Sequence, residues 1–393
     1  MSDQPLKNTG LRGVKVGHAY TSAVDPEKGV SYLGVPIDQL YNLDVTAVYW
    51  GMIHRRWPTP DEFKAFKQEV TALRKNFPLE VCEKINQEQD AHPMEKLIEG
   101  LTLVGIKRGR YTTGTPKYLE GVKELVAWTP LLCSAAVSGK TPKIPGEYRT
   151  YGQILAEEMG LGKDEARFLD QFAVIHADHG GGNLSTFIAK AAGSGYVDLW
   201  FTIAAGMIGL YGERHGKANQ NSLAQLLEFQ ERMKKEGISV DDLVKETFDK
   251  GGAMFGFGHA VLRQEDPRAK IFYSLADELM PDSALYQLAK ELRVKWPKFV
   301  NEVANPTREK EGKSLIQNPY PNVDQLSGAV LWELGFRDPR SFTVLFALGR
   351  MPCIGAQVYH EAEERVPIYR PSYPYGGDVH PLPAGDALKA LMP

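Results

Sequence analysis

The sequence predicts a mostly α-helical protein with a few short strands confined to its N-terminus. Helix-start and helix-stop signals recur from Thr59 onward, and the strand–helix alternation of a doubly wound sheet is missing. Strand-type composition is concentrated in "GVKVGHAYTSAVDPEKGVSYLGVPI". This stretch is rich in Val and Tyr and broken by "DPEKG", which reads as short strands around a turn. "TPDEFKAFKQEVTALRKNF" opens a helix with Thr59 as cap, Pro60 at the first helical position and Glu62 completing a capping box. "LWFTIAAGMIGLY" (199–211) reads as a buried core helix, being too short for a bilayer, which needs ~20 residues. "SLAQLLEFQERMKKEG" predicts a helix starting at Ser222 and stopping at Gly237, with Lys234 and Lys235 in its last turn. "SVDDLVKETFDKGG" repeats that format. "RSFTVLFALGRM" is apolar almost all round and is expected to be buried. The Pro-, Gly- and Tyr-rich tail from Pro371 is expected to be irregular. No internal repeat or low-complexity tract is visible.

Length and composition bound the function. A chain of 393 residues corresponds to ~2 domains. The net charge of −3 argues against a general nucleic-acid binder. Cys82, Cys133 and Cys353 are odd in number, far apart and without a CxxC pair, so neither a disulfide framework nor a zinc ribbon is indicated. A reducing, cytoplasmic setting is the expectation. "MSDQPLKNTGLRG" lacks the apolar region of a signal peptide.

Two motif-like stretches lead nowhere. "AVSGKT" resembles the end of a phosphate loop, but the pattern needs Gly where Ser134 stands. "GMIGLYGERHG" does not space its glycines as G-x-G-x-x-G, and helix packing is the better reading. A third, "HADHGGGN", raises a metal site through His176, Asp178 and His179. The two histidines are three apart and no third ligand stands at a recognised spacing, so His176 is expected to be buried and hydrogen-bonded, and no metal is assigned.

Four islands combine unusual chemistry with glycine: "HADHGGGN" (176–183), "GERHGKANQ" (212–220), "FGFGHAVLRQEDPR" (255–268) and "YPNVDQLSG" (320–328). Arg350 in "LFALGRM" and Arg370 in "IYRPS" lie downstream. Histidines hydrogen-bond a carbonyl oxygen as negative charge develops on it. Arginines match carboxylates with a two-pronged fork and stay charged. A carboxylate takes a proton from carbon if the incipient enolate is stabilised. The inventory suits a small dicarboxylate and a carbon acid activated beside a carbonyl.

These motifs resemble those of the citrate synthase family. H-x-D-H-x-G-G-N stands as "HADHGGGN", the L-H-G-x-A-N-Q type as "RHGKANQ", G-x-G-H-A-V-L-R-x-x-D-P-R as "GFGHAVLRQEDPR", and P-N-V-D-x-x-S-G as "PNVDQLSG". The resemblance runs from Leu11 to Arg370. It implies condensation of acetyl-CoA with oxaloacetate, then hydrolysis of citryl-CoA to citrate and CoA. Asp324 matches the base that takes a methyl proton. His215 matches the group that stabilises the enol, and His259 the group that polarises the oxaloacetate carbonyl. His179, Arg268, Arg350 and Arg370 match oxaloacetate or citrate contacts, Arg370 reaching across a homodimer from the other subunit. Arg12 resembles a CoA phosphate contact, and Gly256, Phe257 and Gly258 resemble the adenine-recognition loop. CoA is implied as a cosubstrate; no metal or tightly bound cofactor is implied.

The resemblance further implies a two-domain helical fold: a large domain of residues 1–215 plus 330–393, and a small domain of 216–329 closing over the site. The N-terminus is shorter than in organellar relatives, which adds to the cytoplasmic expectation. Glu213, Arg214 and Lys217 depart from the apolar residues or proline common around His215, and are expected to face solvent. A 2-methylcitrate synthase would use propionyl-CoA with the same catalytic set, since one methylene is discriminated by only ~1–3 kcal/mol. From other classes, a catalytically inactive binding protein and a metal-dependent hydrolase are the alternatives.

Overall fold

The computed structural model describes residues 10–11, 13–108, 116–213 and 215–372. Strands β1 (Ser22–Asp25), β2 (Gly29–Tyr32) and β3 (Val35–Pro36) form a small antiparallel sheet in the order β1-β2-β3. Asp25 makes the first turn: its Oδ1 accepts from the N–H groups of Glu27 and Lys28, both at 2.9 Å.

Helices follow. The first are α1 (Val45–His54), α2 (Pro60–Arg74), α3 (Leu79–Ile85), α4 (Pro93–Arg108) and α5 (Pro116–Ser138). Next come α6 (Tyr151–Met159), α7 (Lys163–His176), α8 (Leu184–Ser194) and α9 (Leu199–Leu210). The chain continues through α10 (Ala218–Glu236), α11 (Val240–Asp249), α12 (Pro267–Leu279), α13 (Ala284–Phe299), α14 (Asn305–Lys310), α15 (Asp324–Glu333) and α16 (Phe342–Glu363).

The capping box of α2 forms as read, Thr59 and Glu62 each satisfying the other's backbone N–H. α11 is capped in the same way by Ser239 and Asp242. α10 differs from its reading. It starts at Ala218, four residues before Ser222, with no side-chain cap at Lys217, and ends at Gly237 in the left-handed region. Ser222 is an interior residue whose hydroxyl donates instead to the Gln325 carbonyl at 3.0 Å, tying α10 to α15.

α16 is the axis of the fold. Every residue from Phe342 to Val358 is buried, among α1, α5, α7, α8 and α9. With the short turn before it, it is long and apolar enough to cross a membrane, yet its apolar stretch lies wholly inside the protein. Close crossing makes this possible. A Cβ on Gly349 would lie 2.5 Å from the Ala173 carbonyl oxygen of α7. α9 is not buried all round as read: Ile208 is 61% and Phe201 37% exposed. The last described residues, 364–372, are in neither helix nor strand; the tail read as irregular from Pro371 lies, beyond Ser372, outside the described residues.

Gly349→Ala should therefore destabilise the protein by about 1–3 kcal/mol, because neither main chain can yield without moving a helix. Thermal unfolding of the variant against wild type measures this, and an unchanged midpoint would refute the crossing as described.

Candidate active site

The "HADHGGGN" loop joins α7 to α8 and is fastened from three sides. Asp178 is fully buried. Its carboxylate accepts from Thr21 Oγ1 at 2.5 Å, from Gln357 Nε2 at 2.9 and 3.0 Å, and from the His179 N–H at 2.8 Å. It is an anchor, with no capacity left for a metal. His176 is buried as expected. Its Nδ1 donates to the Phe172 carbonyl at 2.9 Å, and the ring packs on Phe172 and Phe346. Burial holds it neutral, at about 3. Among the described residues no group of three or more His, Cys, Asp or Glu side chains gathers to hold a metal.

Asn183 caps α8 and accepts from Thr186 N–H at 3.2 Å and from Arg350 Nη1 at 3.3 Å. Arg350 comes from the middle of α16, and its Nε donates to the His176 carbonyl at 2.9 Å. The buried charge is thus held by main-chain and amide oxygens. The His179 ring lies 5.3 Å from that of His259, and its Nε2 is enclosed with no partner among the described residues. Burial, then Arg268 and Arg350, push its protonation well below the usual histidine range.

Hydrogen bonds fix the proton positions on the other two histidines. His259 Nδ1 receives two main-chain N–H groups, from Val261 at 3.0 Å and Leu262 at 2.9 Å. An N–H only donates, so Nδ1 is the acceptor and the ring proton sits on Nε2. His215 has the opposite arrangement. Its Nε2 accepts from the Ser185 N–H at 3.4 Å, so its proton sits on Nδ1. Burial, reinforced by Arg350 for His215 and by Arg268 for His259, lowers both to about 4. At neutral pH each ring is an uncharged donor through a defined nitrogen.

Asp324 is the first residue of α15. A helix N-terminus favours a carboxylate, but burial opposes this and prevails, with Arg268 pulling back and Asp266 adding to the rise, so Asp324 titrates at about 6. No side-chain hydrogen bond from a described residue occupies it, which leaves the carboxylate free to act as a base. α10 and α15 meet so closely that a Cβ on Gly328 would lie 2.5 Å from the Asn219 carbonyl oxygen. His215, just before α10, and Asp324 therefore sit at neighbouring helix ends.

The two glycines of "GFGH" serve this placement. Gly256 and Gly258 have φ of +77° and +86°, and a Cβ on Gly256 would lie 2.3 Å from Gln325 Cα. A short antiparallel bridge pairs Phe257 with Pro321: Gly258 N–H donates to the Tyr320 carbonyl at 2.9 Å and Asn322 N–H to the Gly256 carbonyl at 2.8 Å. The bridge holds His259 beside the segment that ends in Asp324. Phe257 and Gly258 also line a cavity of about 290 Å³ with Trp296, Phe248 and Met254. Arg268 is buried, and its fork is partly taken: Nε and Nη2 pair with Asp266 at 3.0 and 2.7 Å, leaving Nη1 for a ligand.

The fold thus gathers His179, His215, His259, Arg268, Arg350 and Asp324, which sequence reading had named. It does not bring in Arg370, which is exposed beside Tyr369. The Tyr369 N–H donates to Ser194 Oγ at 3.1 Å, at the far end of α8 from Asn183. Eleven helical residues span ~16 Å. Arg12 and Arg214 lie outside the described residues. Glu213 is exposed, and Lys217 covers the Tyr211 ring at 4.6 Å, so neither acts on His215. Sequence reading missed Asp178 as an anchor, the tautomer-setting Ser185, the Asp266 partner of Arg268, and the hairpin residues Thr21, Ser22 and Tyr32. Asp178, Ser185 and Asp266 stand in or beside motifs; the hairpin residues carry no local signal.

Fold and site together define a mostly helical acid–base pocket, with neutral histidine donors, buried arginines and one carboxylate of raised pKa. The family profile described as "Citrate synthase, C-terminal domain" matches residues 10–372. The chain belongs to the citrate synthase family. It is 29% identical to the mitochondrial citrate synthase of Saccharomyces cerevisiae, over 92% of this chain and 79% of that one. It is 30% identical to the mitochondrial 2-methylcitrate synthase of Yarrowia lipolytica, over 92% and 82%. The fold matches the citrate synthase of Thermoplasma acidophilum, solved as a ternary complex with carboxymethyl coenzyme A and oxaloacetate, at a TM-score of 0.81. That match covers 98% of this chain and all of that one, at 21% identity. The Pyrobaculum aerophilum citrate synthase gives a TM-score of 0.72 at 25% identity, covering 95% and 94%. The cytoplasmic expectation is overturned by the two relatives named first, both mitochondrial proteins. The three buried thiols on which it partly rested do not separate the two compartments.

Selective 15N labelling of histidine should show an unprotonated Nδ1 in His259 and a protonated Nδ1 in His215, both rings staying neutral from pH 8 to pH 5. A carboxyl titration near pH 6 should vanish in Asp324→Asn. Reversed tautomers, or no titration above pH 5, would contradict the geometry.

Proposed function

We propose that the chain condenses acetyl-CoA with oxaloacetate and hydrolyses the resulting citryl-CoA to citrate and CoA. The observation that carries this reading is the pair of oppositely fixed neutral histidines around a partnerless carboxylate of raised pKa. Asp324 removes a proton from the acetyl methyl carbon, and His215 Nδ1–H donates to the thioester oxygen as charge builds there. His259 Nε2–H donates to the ketone oxygen of oxaloacetate, the methylene carbon attacks, and the new alkoxide takes a proton. Water then cleaves the thioester. Arg268 Nη1, Arg350 and the open Nε2 of His179 hold the carboxylates. A citrate synthase solved with a CoA analogue and oxaloacetate supports the substrate pair.

Three further assignments belong to this reading. Residues 216–329 act as a small domain closing on residues 1–215 and 330–393, excluding water from the enol. CoA is a cosubstrate whose adenine end meets the Gly256–Gly258 loop. The main chain of Phe257 turns away from the bridge to Pro321, and the neighbouring cavity supports this placement. The protein works as a homodimer in which Arg370 completes the partner's site. The exposure of Arg370, and of Leu184, Tyr196, Phe201 and Ile208 on α8, α9 and the loop between them, supports a subunit contact there.

Propionyl-CoA as donor is the second reading, favoured by the 30% identity to a 2-methylcitrate synthase. The inactive alternative is disfavoured by a complete set of Asp324, His215 and His259.

Thiol release after chelator treatment tests the assignment. CoA release should require oxaloacetate and be faster with acetyl-CoA than with propionyl-CoA; the reverse preference moves the protein to 2-methylcitrate synthesis. Asp324→Ala should lower turnover by about 10²–10⁴-fold while oxaloacetate still binds in calorimetry. Mixed dimers of Asp324→Ala and Arg370→Ala subunits should regain activity absent from either parent. No gain from dimers shown to be mixed would overturn the shared site.

A further inference from the structure

The β1–β2 hairpin touches both ligand-bearing loops of the site. At its open end, Thr21 Oγ1 donates to Asp178 and Ser22 Oγ accepts from the Gly180 N–H at 2.7 Å, so the two neighbours of His179 are both held. Tyr32, paired with Ser22 across the strands, donates its hydroxyl proton to the Val174 carbonyl at 2.9 Å and accepts from the Asp178 N–H at 3.2 Å. At its turn, the Pro26 carbonyl accepts from the Arg263 N–H at 2.9 Å. Gly29 packs so tightly on Pro267 that a Cβ there would lie 2.2 Å from Pro267 Cγ. Arg263 and Pro267 lie between His259 and Arg268 in the chain. The hairpin's polar ends are thus aimed at the residues flanking His179 and at those between His259 and Arg268.

A hairpin suits a spacer. Its strands rise ~3.3 Å per residue, which puts its two clamps ~13 Å apart. The Asp25 turn closes it with two side-chain hydrogen bonds, and φ at Gly29 is +84°. The quantity it sets is the gap across which His179 and His259 face each other.

We infer that the N-terminal hairpin is a positioning element for the oxaloacetate pocket, fixing the separation of the His179 loop from the His259–Arg268 loop. The inference rests on reading these residues as oxaloacetate ligands. Thr21, Tyr32 and Gly29 are positioning residues, since none of them takes part in the chemistry. Thr21 acts through Asp178 on His179, and Gly29 acts through Pro267 on the start of α12.

The test uses the full chain. Thr21→Val keeps the shape and deletes the hydroxyl, leaving Asp178 with its other three hydrogen bonds. Thr21→Ser restores the hydroxyl. Gly29→Ala perturbs the opposite end. Oxaloacetate binding by calorimetry, KM for each substrate and the thermal midpoint are measured for all. Thr21→Val and Gly29→Ala should each weaken oxaloacetate by about tenfold, while KM for acetyl-CoA at saturating oxaloacetate changes less than twofold. Thr21→Ser should return to wild type. In a His179→Asn background, Thr21→Val should add no further loss, because both act at one point. Unchanged oxaloacetate affinity in Thr21→Val and Gly29→Ala would overturn the inference. So would equal rises in both KM values that track a fall in the thermal midpoint. A wild-type protein that does not bind oxaloacetate would overturn the ligand reading itself, and the inference with it.

Discussion

A carboxylate cannot be taken out of water without compensation, and Asp178 is fully enclosed. Its charge must be met by donors delivered to one point. Here they come from Thr21 before the hairpin, from Gln357 on α16, and from the N–H of its own neighbour His179. Gln357 lies seven residues, two helical turns, after Arg350, so both project from one face of α16. Arg350 in turn holds the His176 carbonyl and the cap of α8. One buried charge thus draws Thr21, α16 and the α7–α8 loop together, and His179 is placed as a by-product.

Burial moves the site's histidines and Asp324 toward their neutral forms, while Arg268 and Asp266, paired in the interior, hold each other charged. His179, His215 and His259 lose their tendency to take up protons, while Asp324 gains it. For the histidines this is constructive, since an uncharged ring with one fixed N–H is a donor that does not compete with the arginines for the substrate's carboxylates. For Asp324 the rise makes a stronger base than an exposed aspartate, at the cost of losing its ionised form in mild acid.

Much of this was legible in the sequence. Residues whose chemistry is local announced themselves: the Thr59 and Ser239 caps, the Gly237 stop, the histidines and arginines set among glycines. The all-round apolar character of "RSFTVLFALGRM" signalled a buried helix correctly. The same pattern in "LWFTIAAGMIGLY" concealed exposed Phe201 and Ile208, because composition cannot say whether a further surface covers a face. The start of α10 was misplaced because Ser222, a good cap by type, spends its hydroxyl on α15. Pairings between distant segments were not legible. Nothing near Thr21 or Tyr32 indicates Asp178; the Asp266–Arg268 pair is local, yet the motif does not show that Asp266 engages two of the guanidinium nitrogens.

The hairpin's contacts also set an order of events during synthesis. Thr21 and Ser22 bind partners 157 and 158 residues away in the chain, and Pro26 and Gly29 meet partners later still. Gln357, which shares Asp178 with Thr21, lies 336 residues after Thr21 in the chain. The hairpin is therefore made long before its partners and is among the last elements to find its place, and non-local pairing of this kind is slow. No nascent chain that stops short of α16 holds a finished pocket, because Arg350 and Gln357 both lie on it, and the pocket is completed only when α16 takes its place at the centre of the fold.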